Sequence, residues 1–280
     1  KKVSIEDNYN AVKWTIEAGL GSKVQLVCGM PGESPETIRE TIEFCKFTNT
    51  ISERQNPNDL SINYAQALPG TPLYEYARHS KLIGQDLDGE EEYLLKISDR
   101  DAHDEYTTLN FTNYPKLICE TWRPLITVEV NYYYYKKFGA DHYRYVMFRD
   151  TEYFRHVRPD SGYYANPRRL IETGAQTGEM AHKIKLPSLF YLIRRGNWGL
   201  ALICHPAFAY HARHFLWLLV IVKDLRNSGL RQTAKLVGEY LNWQWKRVTS
   251  ARKFEYKSLR KLVDNDLGAL PSDEVAMAPL

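Results

Sequence analysis

Gln25-Leu26-Val27-Cys28-Gly29-Met30-Pro31-Gly32-Glu33-Ser34 and Ile62-Asn63-Tyr64-Ala65-Gln66-Ala67-Leu68-Pro69-Gly70-Thr71-Pro72-Leu73-Tyr74 are the two stretches that decide the fold. In each, a short apolar run stops at a Pro-Gly turn and a helical pattern follows. Val24 to Cys28 suits a strand buried on both faces. Ser34-Pro35-Glu36 then opens a helix with a cap, a proline in the first turn and an acid at the positive helix end. Ile38, Ile42 and Cys45 give that helix its buried stripe. Leu60 to Leu68 reads as the second strand, and Thr71-Pro72-Leu73-Tyr74 starts a helix running to about Ser80.

Upstream, Ser4 caps a helix with Asp7 three residues on, and Ile5, Tyr9, Val12 and Ile16 recur at helical spacing until Gly19 and Gly21. The order is therefore α-β-α-β-α, which predicts parallel strands joined by helical crossovers. The loops after parallel strands are where α/β enzymes bind ligands.

Beyond Leu82 the character changes. Gly84 to Glu92 is acidic and turn-rich, and the rest is mainly helical pattern, rich in Tyr, Trp and Arg. Residues 115–138 read as one helix with a kink or break at Pro124. Residues 166–182, 186–195, 200–224 and 229–263 read as others, and Leu267 to Leu280 reads as a frayed tail. The expected organisation is an α/β part over residues 1–110 and a mainly α-helical C-terminal domain over 111–280.

The 280 residues carry a net charge of +3, with 44% hydrophobic and 25% charged side chains, ordinary for a globular protein. Four scattered cysteines, Cys28, Cys45, Cys119 and Cys204, make neither a disulfide framework nor a close-spaced metal cluster. A reducing, cytoplasmic setting is expected. Lys1-Lys2-Val3 is followed by no apolar signal segment, and a helix starts almost at once. We expect the chain to begin inside a larger protein.

Several constellations have a sharp and a plain reading. Ser98-Asp99-Arg100-Asp101-Ala102-His103-Asp104-Glu105 gathers acids around a histidine, yet lacks the glycine turn of a calcium loop. It reads as a solvated loop or helix start. His205, His211 and His214 share one helical stretch without the glutamate of a His-Glu-x-x-His motif, and read as packing histidines. Tyr132 to Tyr135, at helical spacing, cannot all face one pocket and read as packing residues with wet hydroxyls. No metal ligands are assigned in this chain.

The two Pro-Gly segments, taken with Ser34-Pro35-Glu36-Thr37-Ile38-Arg39-Glu40-Thr41-Ile42, resemble the fifth and sixth strands of radical S-adenosylmethionine (radical SAM) enzymes. The resemblance is to the branch whose members often carry an upstream cobalamin-binding domain. The first segment matches that family's apolar-x-Gly-x-Pro-Gly-Glu-[Ser/Thr] wording, the second its Pro-Gly-Thr-Pro-Leu-Tyr. The resemblance covers roughly residues 1–110. It implies the last strands of a (β/α) TIM-like barrel, and a parent enzyme that uses S-adenosylmethionine and a [4Fe-4S] cluster for methylation, cyclisation or rearrangement. Cobalamin joins them where the upstream domain exists.

By position, Val27 and Gly29 would lie along the adenosyl group, Met30 and Pro31 would shape the loop, and Ala67, Leu68 and Pro69 would be sixth-strand neighbours. The roles implied are apolar contact and backbone hydrogen bonding. Two departures stand out. Gln25 occupies a place where the family often has glycine, and no Cys-x3-Cys-x2-Cys triad is present. The chain alone is thus expected to be inactive, with cluster ligands supplied from upstream. The helical domain would cover the barrel mouth or shape the site of a small-molecule or lipid-like substrate.

Two other readings compete. One is a TIM-barrel-like enzyme that needs no cluster, although neither Gly29 nor Pro69 has an evident catalytic acid or base beside it. The other is a membrane-surface module over residues 200–263. There Phe215 to Val222 is continuously apolar, and the basic residues 231–261 include Trp243 and Trp245. No nucleic-acid reader motif occurs, and no nucleic-acid partner is expected.

Overall fold

Helix starts follow the capping chemistry. In α1 (Ile5–Glu17) the Ser4 hydroxyl accepts from the Asp7 N–H at 3.1 Å, and the Asp7 carboxylate accepts from the Ser4 N–H at 2.9 Å. In α2 (Pro35–Thr50) Ser34 and Thr37 make the same reciprocal pair. The Thr71 hydroxyl accepts from Tyr74 at the head of α3 (Pro72–His79). The computed structural model describes residues 3–84, 86–98, 109–149 and 187–249.

Between the first helices run β1 (Val24–Cys28) and β2 (Leu60–Tyr64), parallel, with Val24 opposite Leu60 and Cys28 opposite Tyr64. The Ala65 N–H extends the ladder to the Cys28 carbonyl at 2.8 Å. The second strand stops at Tyr64, four residues short of the expected Leu68. Next come α4 (Leu87–Ser98), α5 (Lys116–Phe138) and α6 (Ala140–Arg149). The C-terminal part holds α7 (Leu189–Arg194), α8 (Trp198–Cys204), α9 (Pro206–His211), a 3-10 turn (Arg213–Phe215) and α10 (Leu216–Thr249). The described chain is thus mainly helical around a small parallel sheet.

Three local expectations change. Gly84 to Glu92 is not simply a turn region. Asp86 accepts from the Gly89 N–H at 3.0 Å, and α4 begins at Leu87 with Asp88 and Glu90 near its positive end. Residues 200–224 are not one helix. Pro206 has no N–H and opens α9 at its first turn, so the chain turns at His205. Within α10, Gly229 adopts φ 76°, open to glycine at little cost, and divides the helix into arms 216–228 and 230–249. Asp224 braces the bend by accepting from Ser228 at 2.9 Å and Thr233 at 2.7 Å. The expected helix over 166–182, the acidic stretch from Asp99 and the basic residues past 249 lie outside the described residues.

The sheet has one covered face. Leu26, Cys28, Leu60, Ile62 and Tyr64 meet Ile38, Ile42 and Cys45 of α2 and Cys119, Trp122, Ile126 and Val130 of α5 in one core. Residues on both sides of position 110 therefore share that core. A second cluster joins Ala65, Ala67, Tyr74, Tyr93 and Phe111, and a third joins α5, α6, α7 and α8 through Tyr134, Tyr143, Leu192 and Leu200. Among the described residues no helix is long and apolar enough to cross a membrane.

Pro124 lies inside α5 without ending it. Its ring removes the N–H that would serve the Glu120 carbonyl four residues back. The Tyr64 hydroxyl of β2 donates to that carbonyl at 3.3 Å. The sheet thus meets a need the proline creates. Tyr64→Phe should cost about 1–2 kcal/mol, and less in a Pro124→Ala background, where the helix supplies its own donor. Urea unfolding of the four proteins measures the coupling. Equal costs in both backgrounds would show that the bond does not compensate for the proline.

Candidate functional site

The loops after β1 and β2 leave from the same end of the sheet, because the strands are parallel. Gly29 takes φ 92°, a conformation other residues resist, and turns the chain away from β1. A side chain built there would meet Cys119 Sγ at 3.5 Å and the Leu109 carbonyl at 3.6 Å. The close approach that the glycine permits is to the protein itself. Its N–H donates to the Glu33 carboxylate at 2.6 Å, and its carbonyl accepts from Phe111 at 3.2 Å. The Ala67 N–H donates to the Tyr93 hydroxyl at 2.9 Å, which ties the second loop to α4.

The seven residues singled out from the sequence divide by environment. Gly29 and Ala67 are buried and held by these bonds. Val27, Met30, Pro31, Leu68 and Pro69 are exposed, Val27 at 49% and Leu68 at 50%. Val27 is opposite Asn63, and Gln25 opposite Ser61, on the sheet face turned away from α2 and α5. The Asn63 Oδ1 and Gln66 Nε2 atoms are buried without a hydrogen-bond partner. A buried polar atom left unpaired costs on the order of 1–3 kcal/mol. These two amides were not among the candidates. The sequence signal for Asn63 is its alternation, with Ser61, against the apolar residues of the strand.

Glu33 holds the first loop in shape at an electrostatic cost. Burial pushes its carboxyl above the usual value, against the lowering effect of the Gly29 and Met30 N–H groups. A raised folded value means that the stability it contributes is complete below the ordinary 4.5 and is lost as pH rises through the folded value. Glu33→Gln keeps an oxygen for the Gly29 N–H and removes the charge. The variant should gain stability over the native protein as pH rises from 4.5 towards neutrality, and show a constant difference below it. Urea midpoints across that range test this; a pH-independent difference would rule it out.

The cysteines do not form a cluster site. All four are buried. Burial pushes the Cys28, Cys45 and Cys204 thiols up to about 12, with Glu33 adding to the effect at Cys28, and raises Cys119 as well. Among the described residues no three His, Cys, Asp or Glu side chains could hold a metal ion. A [4Fe-4S] cluster therefore does not fit the described part of this chain. His205 is instead bonded to the Pro187 carbonyl at 2.8 Å, and His211 lies against the Tyr132 and Tyr210 rings. Tyr132 stacks on Tyr210 at 3.9 Å, and the Tyr134 hydroxyl donates to the Glu53 carbonyl inside the protein instead of to water.

A cavity of about 310 Å³ opens on the other face of the sheet. Leu60, Ile62, Pro124, Leu219 and Val220 give it apolar walls, and Glu120, Arg123, Lys223 and Asp224 supply charge. The Trp198 Nε1 donor on its wall is buried without a partner. Its lining comes from β2, α5, α8 and α10, so no local motif announces it. Apolar walls with a few polar groups suit a small amphipathic ligand. Comparison with known proteins adds no relative: no family model, curated protein or solved structure matches the chain.

Proposed function

We propose that the chain contributes the late strands and the helical C-terminal part of a radical SAM enzyme, with the cluster cysteines carried upstream of Lys1. The observation that carries this reading is the open sheet face at the two Pro-Gly loops. There an exposed Val27 stands opposite Asn63, whose amide oxygen is buried without a partner. An adenosyl group has a flat apolar body with donor and acceptor edges, and this face offers the complement. The parallel strand pair and the resemblance of the two loops support the same reading.

In this reading S-adenosylmethionine would be held here, and with an electron from the cluster held upstream it would supply radical chemistry at an unreactive carbon. The chain's own residues bind and orient. Val27 and Met30 would give apolar contact, Asn63 would offer its unpaired oxygen, and Leu68 and Pro69 would line the second loop. Gly29 and Ala67 act through position, since the Glu33 carboxylate and the Tyr93 hydroxyl fix their loops.

The test begins with the coding sequence upstream of Lys1. A Cys-x3-Cys-x2-Cys motif there is expected, and a further α/β domain before it would add cobalamin. The longer protein, reconstituted with iron and sulfide, should release 5′-deoxyadenosine or transfer the methyl group of S-adenosylmethionine. Val27→Asp should weaken S-adenosylmethionine binding at least tenfold, since burying a lone carboxylate against the ligand costs more than about 1.4 kcal/mol. Upstream sequence without the triad would end the radical reading and leave the cluster-free enzyme as the alternative.

A further inference from the structure

Folding leaves an apolar stripe exposed along each arm of α10. In the first arm Leu216 is buried with Val128 and Ala209, and Leu219 packs beside them. Trp217, Leu218 and Leu225 are exposed, and Ile221 and Val222 are half-buried. Positions 218, 221, 222 and 225 recur at the spacing of one helix face. Phe208 and Phe215, just before the helix, are exposed too.

The second arm repeats the arrangement. Thr233, Leu236 and Trp243 face inward. Leu241, Trp245 and Val248 stand out at 59%, 70% and 78% exposure, four and three residues apart. Isolated exposed apolar residues are ordinary; stripes at helical spacing on successive arms are not.

The segment that carries these stripes is basic. Residues 205–249 hold seven Lys and Arg (Arg213, Lys223, Arg226, Arg231, Lys235, Lys246, Arg247) against Asp224 and Glu239 alone. A second copy of the chain would bring like charge against like charge across the same face. An anionic surface that also accepts tryptophan and leucine satisfies both features, and no described helix is built to cross a bilayer. We propose that α10 and the aromatic turn before it form a docking face for an anionic lipid surface, with the helix lying on the bilayer. This assignment is independent of the radical SAM reading.

The experiment is co-sedimentation of the full chain with vesicles of phosphatidylcholine alone and of phosphatidylcholine mixed with phosphatidylserine, at low and high salt. Binding should require phosphatidylserine and weaken with salt. Arg231→Gln with Lys235→Gln should lower partitioning by about fivefold for each cation removed. Leu241→Ser with Trp245→Ser should lower it by at least about tenfold, from lost apolar burial. These side chains are exposed, so circular dichroism should show an unchanged fold. Four results would overturn the proposal. They are no sedimentation with phosphatidylserine at low salt, equal sedimentation with phosphatidylcholine alone, both variants binding like the native chain, or a native dimer that Leu241→Ser with Trp245→Ser converts to monomer while vesicles stay unbound.

Discussion

Trp122→Ala is expected to cost about 3–5 kcal/mol, and to lower the unfolding midpoint by on the order of 10 °C. Trp122 is 3% exposed and lies in the core shared by the sheet, α2 and α5. Cys28 and Ile62 are fixed by strand register and Ile38 by its helix, so the void has no easy way to close. The loss also travels outward. Tyr114 sits edge-on to Trp122 at 5.9 Å and meets Trp243 at 6.1 Å, and the Arg247 guanidinium covers Trp243 at 4.9 Å. This chain of rings fastens the second arm of α10 to the start of α5. Trp243→Ala should therefore be destabilising by itself, and its cost should shrink once Trp122 is gone, because Tyr114 has already lost one of its two ring partners. Urea unfolding of both single variants and the double variant gives the coupling. A cost for Trp122→Ala below about 1 kcal/mol would mean that the core relaxes around the void.

The parts of this fold that were legible in the sequence are those governed by local chemistry. Ser4, Ser34 and Thr71 each announce a helix because a short polar side chain must satisfy the first free N–H groups, and each does so. The bounds of β1 follow from one apolar run ending at a glycine with positive φ. The long helix through 115–138 is visible in its pattern, but its passage through Pro124 is not, because the compensating hydroxyl comes from Tyr64, distant in sequence. The stretch 200–224 misleads because its apolar periodicity continues across Pro206, whereas the backbone cannot. At the candidate site the Pro-Gly loops were legible, while the unpaired Asn63 and Gln66 amides were not. Whether a buried amide has a partner depends on the neighbours that folding places around it. The cavity near Trp198 was invisible for the same reason.

Asn131→Leu should be the other severe substitution, on the order of 3 kcal/mol, from breaking a buried network. The Asn131 amide nitrogen donates to the Asn58 Oδ1 at 2.9 Å and to the Thr127 carbonyl at 2.8 Å, while its oxygen accepts from the Tyr143 hydroxyl at 2.7 Å. The same hydroxyl lies 2.6 Å from the Ile203 carbonyl of α8. One side chain of α5 thus joins the segment before β2 to α6 and α8. Leucine fills much of the volume and meets none of these groups, so the loss reads polar pairing and not packing. Asn131→Asp separates the two further. Its second oxygen would face the Asn58 and Thr127 oxygens, and the buried carboxylate would be favoured only when protonated. The stability of Asn131→Asp should accordingly be highest at low pH and fall as pH rises through the raised value of that carboxyl. The cost of Asn131→Leu should not follow that titration. Unfolding midpoints of both variants over the acid range are the measurement. Parallel pH profiles would show that the amide is not held between oxygens as described.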